Sequence, residues 1–198
     1  METTNELGCV VGTRRSSEET REHLLQVAHD LFYRHGIRAI GVDRVAAEAG
    51  IAPTTLYRLF ASKDDLVAAY VQRADEQYRT WFLEAIRADG RSTRERILGL
   101  FEALDQHLRP DRCRGCPFLM ALTEFPDPEL ASHRHAVGQK EWVRARLAEL
   151  VDELGAPPAL ADQLMLVLEG VYATVPALGP QGPARQARAL VDAILPRG

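Results

Sequence analysis

Cysteines are scarce in this sequence of 198 residues, which contains only Cys9, Cys113 and Cys116. Three cysteines are too few to form a disulfide framework in a chain of this length, and they are typical of a reducing compartment. Long apolar runs are missing as well, because no uninterrupted stretch approaches the roughly 18 residues that a membrane span needs. Residues 1–15 lack the charged-then-apolar pattern of a secretion signal. We therefore expect a soluble cytoplasmic protein with no membrane partner.

Strand signals and enzyme motifs are also lacking. No sustained alternation of polar and apolar residues is bounded by turns, which argues against a sheet. A glycine-rich phosphate loop, a nucleophile elbow and a paired zinc-type histidine motif are all missing. We therefore expect no catalytic residues, no cofactor and no metal ion. An enzyme remains a competing class of protein. A catalytic activity that is lost when the cysteine pair is mutated would support it.

Helical periodicity covers most of the chain, and hydrophobic residues make up 46% of it, enough for a substantial core. The pattern predicts an all-α fold with three helices in an N-terminal head and six in a larger body. The head is expected over residues 17–62, after a flexible arm over residues 1–16, and the body over residues 63–198. The nine predicted helices cover approximately residues 17–35, 42–49, 53–60, 63–88, 93–108, 118–124, 127–153, 159–177 and 183–195. Gly36 is expected to end the first of them as a left-handed cap.

Residues 42–66 are the most informative segment, because two short amphipathic helices there flank a tight turn at Gly50. A small inward residue, Ala46, lets the helices approach, and Gly50 takes a backbone angle that other residues resist. Ile51, Leu56 and Phe60 are expected to fill the angle between the helices. This is the arrangement of a helix-turn-helix, whose second helix enters the major groove of DNA. The predicted outward face of that helix consists of Pro53, Thr54, Thr55, Tyr57 and Arg58.

The segment from residue 21 to residue 66 resembles the DNA-binding head of the TetR family of regulators. In the family pattern, a helix that ends in glycine is followed by an alanine-rich helix, a second glycine and a turn. An aliphatic residue next to a tyrosine, a phenylalanine and a lysine come after the turn, and the matching positions here follow this order. They are Gly36, Ala46, Ala49, Gly50, Leu56, Tyr57, Phe60 and Lys63. At Gly41 and Ala52 the family often has serine or threonine, so two helix caps worth roughly 1 kcal/mol each are missing here.

The resemblance implies DNA contacts at particular positions. Tyr57 resembles the tyrosine that contacts a phosphate or a base edge, and Lys63 resembles a lysine that binds phosphate at the start of the next helix. The positions of Thr54, Thr55 and Arg58 commonly touch DNA, and Arg44 lies on the helix that rests on the backbone. Alternatively, Arg44 and Arg58 are solvated surface charges and Tyr57 is a packed core residue.

For the body, the resemblance implies a six-helix ligand-binding and dimerisation bundle. Its last two helices, approximately residues 159–177 and 183–195, are expected to pack against their copies in a homodimer. Two recognition helices would then meet a palindromic double-stranded operator one DNA turn, ~34 Å, apart. Aromatic and apolar residues at helical spacing are candidates for the lining of a small-molecule effector pocket, although core packing is the common role of such residues. They are Trp81, Phe101, Leu104, Phe118, Trp142 and Tyr172.

Cys113 and Cys116 precede a proline-led helix start, and Cys116 is a candidate N-cap residue. Because a helix N-terminus lowers the pKa of a thiol, the pair could act as a redox switch. Metal binding with His107, His133 and His135 is a second reading, but His133 and His135 point to different faces of a helix. Structural packing of a loop is the third.

Charge is distributed unevenly along the chain, whose formal net charge is −4. Residues 14–63 carry eight Lys or Arg against six Asp or Glu, whereas residues 64–198 carry sixteen against twenty. A mildly basic head and an acidic body suit a protein that meets phosphates at one end. The resemblance implies a repressor that a small-molecule ligand releases from a palindromic operator. The alternatives are a redox-sensing regulator switched through Cys113 and Cys116, and a helical module that binds only protein.

Overall fold

A computed structural model of the chain describes residues 16–108, 113–179 and 181–197. Within these ranges the chain forms nine α-helices and one 3₁₀ turn, and no strand. The helices are α1 (Ser17–His35), α2 (Val42–Glu48), α3 (Pro53–Leu59), α4 (Lys63–Ala85), α5 (Thr93–His107), α6 (Pro117–Glu124), α7 (Ala131–Glu153), α8 (Ala159–Leu178) and α9 (Ala187–Ile194). The predicted all-α fold and its helix count are confirmed. Almost all of the predicted arm, residues 1–16, and Cys9 with it, lies outside the described residues.

Local capping signals start several of these helices. At α1 the Glu19 amide donates to Ser16 Oγ at 3.1 Å, and the Ser16 amide donates to Glu19 Oε2 at 2.7 Å. Ser92 and Glu95 form the same reciprocal box at α5. Each box satisfies backbone donors that a helix start leaves unpaired. By contrast, the N-cap residues of α2 and α3, Gly41 and Ala52, provide no side-chain cap, as the sequence predicts.

The head is built from α1, α2 and α3, with α1 packed on both α2 and α4. Gly50 connects α2 to α3 with a φ of +67°, in the region that only glycine adopts easily. The Ile51 amide then donates back to the Ala46 carbonyl at 3.0 Å, which closes the turn. Of the residues predicted to fill the interior of the helix pair, Leu56 and Phe60 are buried in one core cluster with Ala46, whereas Ile51 is half-buried against that cluster.

The body is a bundle in which α7 packs along α4, α6 and α8, while α5 packs on α9. Its apolar residues join those of the head in one continuous buried cluster, in which Phe82 and Phe118 are among the largest fully buried side chains. No helix among the described residues is long and apolar enough to cross a membrane.

Three predicted helix boundaries are wrong, each for a physical reason. Helix α7 begins at Ala131 rather than at residue 127, because Asp127 forms a turn in which its side chain and carbonyl accept from the Glu129 and Leu130 amides. Helix α4 ends at Ala85 rather than at residue 88, because Arg96 Nε donates to the carbonyl of Ile86, the residue after the helix, at 2.8 Å. The last predicted helix starts as a 3₁₀ turn, Pro183–Gln186, before α9.

Candidate nucleic-acid interface and effector cavity

One face of α3 is exposed to solvent. Pro53, Thr54 and Arg58 are exposed, Tyr57 is 50% exposed, and Thr55 is half-buried. The opposite face holds Leu56 inside the head. The alternative of a packed Tyr57 is therefore wrong. Thr54, Tyr57 and Arg58 thus expose a hydroxyl group, a phenol and a guanidinium to solvent, and such groups donate to phosphate oxygens and to base edges.

Two further basic residues lie beside this face. Arg44 is exposed on α2. Lys63, at the first position of α4, is half-buried and its Nζ donates to the Arg38 carbonyl at 3.2 Å. Burial lowers the pKa of Lys63, although Glu124 and Asp64 oppose that effect. Lys63 therefore binds the loop between α1 and α2, a contact that the sequence did not predict. Its ammonium group has three N–H donors, so others remain for a second acceptor.

The head and the body are joined by hydrogen bonds at both ends of α6. Before its N-terminus, the Tyr33 hydroxyl donates to the Gly115 carbonyl at 2.8 Å and accepts from the Arg114 amide at 3.0 Å. At its C-terminus, the Glu124 carboxylate accepts from the Ile37 amide at 3.0 Å and the Arg38 amide at 2.6 Å. Arg38 Nε also donates to the Glu124 carbonyl at 2.6 Å. Helix α6 therefore holds α1 and the loop that follows it.

The hydrogen bonds that Glu124 forms with the loop after α1, which we call the clamp, also explain the backbone geometry at the end of α1. The sequence predicts a left-handed cap at Gly36, and Gly36 does have a positive φ of +89°, but its ψ of 145° is extended. A left-handed cap of the Schellman type would turn the Ile37 amide back to the helix. Here that amide binds Glu124 instead, so the predicted cap geometry is wrong.

A cavity of about 270 Å³ lies between α1 and the body. His29 and Tyr33 reach it from the head. The remaining described lining residues come from α4, from the end of α5, and from α6, α8 and the segment before α6. They are Ala74, Gln77, Tyr78, His107, Leu108, Cys113, Pro117, Phe118 and Tyr172. A molecule bound here would touch the DNA-binding head and the body at once.

The predicted pocket residues divide into two groups. Phe118 and Tyr172 line the cavity. Phe101 and Leu104 do not, because both are buried in the core along α5. Trp81 and Trp142 also stay outside the lining: Trp81 stacks behind His107 with ring centroids 4.6 Å apart, and Trp142 packs edge-on to Phe82. These four residues therefore do not line this cavity: Phe101 borders a separate cleft beside α8 and α9, and Trp81 and Trp142 pack against the core.

The histidines and tyrosines that line the cavity have pKa values shifted toward their uncharged forms. Burial lowers the pKa of His29 and of His107, and Arg73 adds to the effect at His29. Burial raises the pKa of Tyr33 to about 12 and raises that of Tyr78 further. These imidazoles and phenols are therefore neutral hydrogen-bonding groups near neutral pH.

Cys113 and Cys116 are both buried and unoxidised. Cys116 occupies the N-cap position of α6, and Lys140 Nζ lies 3.1 Å from its Sγ while also pairing with Glu169 at 2.6 Å. Burial nevertheless raises the pKa of Cys116, more than Lys140 lowers it. The expectation of a lowered pKa is wrong for Cys116, and its burial disfavours the thiolate that a redox switch there would require.

The metal reading of the cysteine pair gains no support from the geometry. His133 Nδ1 is 2.9 Å from the Phe125 carbonyl, and His107 stacks on Trp81. Among the residues that the structure describes, no three His, Cys, Asp or Glu side chains are grouped so that they could hold a metal ion.

Sequence reasoning missed the residues that connect the head to the cavity. His29 and Tyr33 are four residues apart on α1, so both face the same side of that helix, and this spacing was the available signal. Glu124 gave no such signal, because its partners lie more than eighty residues earlier in the chain.

Large apolar side chains are exposed on the last two helices. Leu166 and Leu178 on α8 are 72% and 61% exposed, and Leu190 on α9 is 50% exposed. An apolar groove of about 360 Å³ runs between α8 and the segment from residue 183 to residue 190. Contiguous apolar surface of this kind is typical of a protein–protein contact.

Known proteins resemble this chain in sequence and in fold. Residues 24–70 match the family model described as bacterial regulatory proteins, tetR family. The HTH-type transcriptional regulator YjdC of Escherichia coli is 26% identical over 177 residues, which cover 88% of this chain and 93% of that protein.

Two solved structures from Streptomyces are similar over nearly their whole length. SCO4454, a TetR-family transcriptional regulator from Streptomyces coelicolor, is 30% identical with a TM-score of 0.84, covering 90% of this chain and 95% of its own. The SAV143 structure from Streptomyces avermitilis is 32% identical with a TM-score of 0.74, covering 88% and 97%. The matched family consists of transcriptional regulators and not of enzymes. By fold, by the helix-turn-helix match and by identity along its length, this chain belongs to the TetR family of DNA-binding transcriptional regulators.

Proposed function

We propose that this regulator is a homodimeric repressor that binds a palindromic operator through α3 and is released by a small molecule in the cavity beside α1. The observation that carries the DNA part is the outward face of α3, where Thr54, Tyr57 and Arg58 are exposed above the buried Leu56. The N-terminal residues of a recognition helix meet base edges in this geometry, while α2 crosses the backbone with Arg44. Because its proposed partner is DNA, we expect the protein to act in the cytoplasm.

The homodimer is supported by the exposed leucines of α8 and α9. A second copy that covered Leu166, Leu190 and the groove between them would remove this apolar surface from water. Two-fold symmetry would then present two α3 helices to half-sites one helical turn, ~34 Å, apart.

The effector part is supported by the position of the cavity. A ligand there would contact His29 and Tyr33 on α1, whose neighbouring loop is held by Glu124. A ligand shifts the head only if it binds one arrangement of the head and body more tightly than another. A 100-fold loss of operator affinity needs about 2.7 kcal/mol of such differential binding.

Footprinting of the DNA upstream of the regulator's own gene tests the proposal. We expect protection of a two-fold symmetric sequence whose half-sites are separated by about one helical turn. An Arg58→Ala variant is expected to lose the footprint while retaining its helical circular dichroism, because Arg58 is exposed and stabilises no described contact in the core. A footprint unaffected by Arg58→Ala would refute the assignment of α3, and a single asymmetric half-site would refute the dimer.

A further inference from the structure

Glu124, the last residue of α6, fixes Arg38 of the head from two directions. Its carboxylate accepts from the Arg38 amide at 2.6 Å and from the Ile37 amide at 3.0 Å, so both carboxylate oxygens are used. Its backbone carbonyl accepts from Arg38 Nε at 2.6 Å, and the Arg38 guanidinium lies over the ring of Phe125, 5.3 Å from the ring centroid. Hydrogen bonds to a carboxylate are short and strong. A residue of the body therefore determines where the backbone of Arg38 lies.

The backbone of Arg38 in turn binds the side chain of Lys63. The Arg38 carbonyl accepts from Lys63 Nζ at 3.2 Å. Burial lowers the pKa of Lys63, and Glu124 opposes this effect more than Asp64 does. The Glu124 carboxylate therefore stabilises the charged ammonium group, and Arg38 links the two residues by hydrogen bonds.

Lys63 lies next to the DNA-binding face proposed for α3. It is the first residue of α4 and follows Phe60, the residue that caps the end of α3, by three positions. A free lysine side chain samples many rotamers, so its fixation on a phosphate is entropically unfavourable. The bond to Arg38 fixes the side chain before DNA binds and leaves other ammonium donors for a phosphate oxygen.

We propose that Glu124 is a positioning residue for DNA binding, which holds Lys63 through Arg38 for a contact with a DNA phosphate. The affinity of the head for DNA is then set in part by a residue of the body. This inference rests on the proposed function, since it adds a phosphate contact beside α3 and names the residue that positions it.

A double-mutant cycle in operator binding tests the connection. The probe is the duplex that the unmodified protein protects in the footprint, and fluorescence anisotropy measures its affinity. Lys63→Gln is expected to weaken binding about fivefold, because a hydrogen bond to a phosphate is lost. In the Glu124→Ala background the same substitution should weaken binding less than about twofold, because Lys63 is no longer held there. An equal effect of Lys63→Gln in both backgrounds, or no effect in either, would overturn the proposal.

Two further backgrounds are the matched controls. Glu124→Gln keeps one acceptor oxygen, so Lys63→Gln should weaken its binding about threefold, and this cycle decides if Glu124→Ala loses its helical circular dichroism. Glu129→Ala removes an exposed carboxylate from the turn after α6, and there Lys63→Gln should keep its effect of about fivefold. An equal reduction in the Glu129→Ala background would assign the effect to lost negative charge and would refute positioning.

The salt dependence of the affinity identifies the contact that is lost. Each phosphate contact contributes about 0.9 to the slope of the logarithm of the binding constant against the logarithm of the salt concentration. Lys63→Gln and Glu124→Ala should each lower that slope, and the double variant should lower it no further than Lys63→Gln. Weak binding by Glu124→Ala with an unchanged slope would mean that Glu124 has a structural role only. Failure of the unmodified protein to bind any duplex would overturn the proposed function as well, whereas additive variants of a protein that binds would overturn only the role of Glu124.

Discussion

At the scale of single residues, the proposed DNA recognition rests on a few exposed side chains of α3. Tyr57 has the environment of a contact residue, because half of its surface is open while its neighbour Leu56 is fixed in the core. Its hydroxyl group is therefore positioned by the fold without being used by it.

Tyr57→Phe is expected to weaken operator binding by about tenfold or more, since a hydrogen bond to a charged group contributes about 1.5–3 kcal/mol. Fluorescence anisotropy with the footprinted DNA measures the change. Tyr70→Phe, with its hydroxyl buried away from α3, is the matched control and should bind DNA normally. Unchanged affinity in Tyr57→Phe, with its thermal unfolding intact, would refute this contact.

His29 gives the stability of the protein a dependence on pH. Burial, aided by Arg73 and opposed by Asp30, lowers the pKa of His29 in the folded chain below the ordinary value of 6.5. As the pH falls through 6.5, the unfolded chain takes up this proton before the folded chain does. The free energy of unfolding therefore decreases on acidification and is fully retained above that pH.

Urea denaturation at about pH 7.5 and 5.5 should show a smaller loss of stability in His29→Gln than in the unmodified protein. His135→Gln, at an exposed site on α7, is the control and should lose as much as the unmodified protein. The same pH dependence in all three proteins would show that His29 is not the source.

At the scale of elements, α6 is the connection between the cavity and the head. Its first turn carries Phe118 at the cavity wall, and its last residue, Glu124, holds the amides of Ile37 and Arg38. A displacement of this eight-residue helix would therefore change both the wall of the cavity and the position of the loop that Glu124 holds.

Glu124→Ala should expose the Ile37 and Arg38 amides, and we expect their hydrogen exchange to become about tenfold faster. Glu124→Gln keeps one acceptor oxygen and should restore part of the protection. Glu141→Ala, at an exposed position on α7, should change neither amide. Protection that survives in Glu124→Ala would mean that the clamp does not hold the loop.

The elements also show how far sequence reasoning reaches. Helix starts with Ser16 and Ser92 and the turn at Gly50 were predictable, because the signal lies within four residues of its effect. The end of α4 was not, because it is set by Arg96 from the next helix. For the same reason α3 was predicted almost completely, whereas only Phe118 and Tyr172 of the six pocket candidates line the cavity: it is assembled from helices far apart in the sequence.

At the scale of the whole molecule, the proposed function requires an assembly of two chains. The exposed leucines of α8 and α9 lie in the body, which carries the net negative charge, while the mildly basic head is left to meet DNA. An acidic body discourages nonspecific association with nucleic acid.

Leu166→Lys should convert the dimer to monomers in sedimentation velocity experiments and should abolish the footprint, because a buried lysine without a partner opposes association. Leu83→Lys is the matched control, since Leu83 is 47% exposed on α4, outside the groove. Sedimentation of Leu166→Lys as a dimer would refute this interface.

Selection of DNA from a random duplex pool by the purified protein shows whether α3 reads an operator. We predict enrichment of a palindrome with half-sites about one helical turn apart, recovered by the unmodified protein but not by a Thr54→Ala, Tyr57→Phe double variant. Enrichment of the same palindrome by both proteins would contradict the claim that α3 reads the DNA, as would no enriched sequence at all.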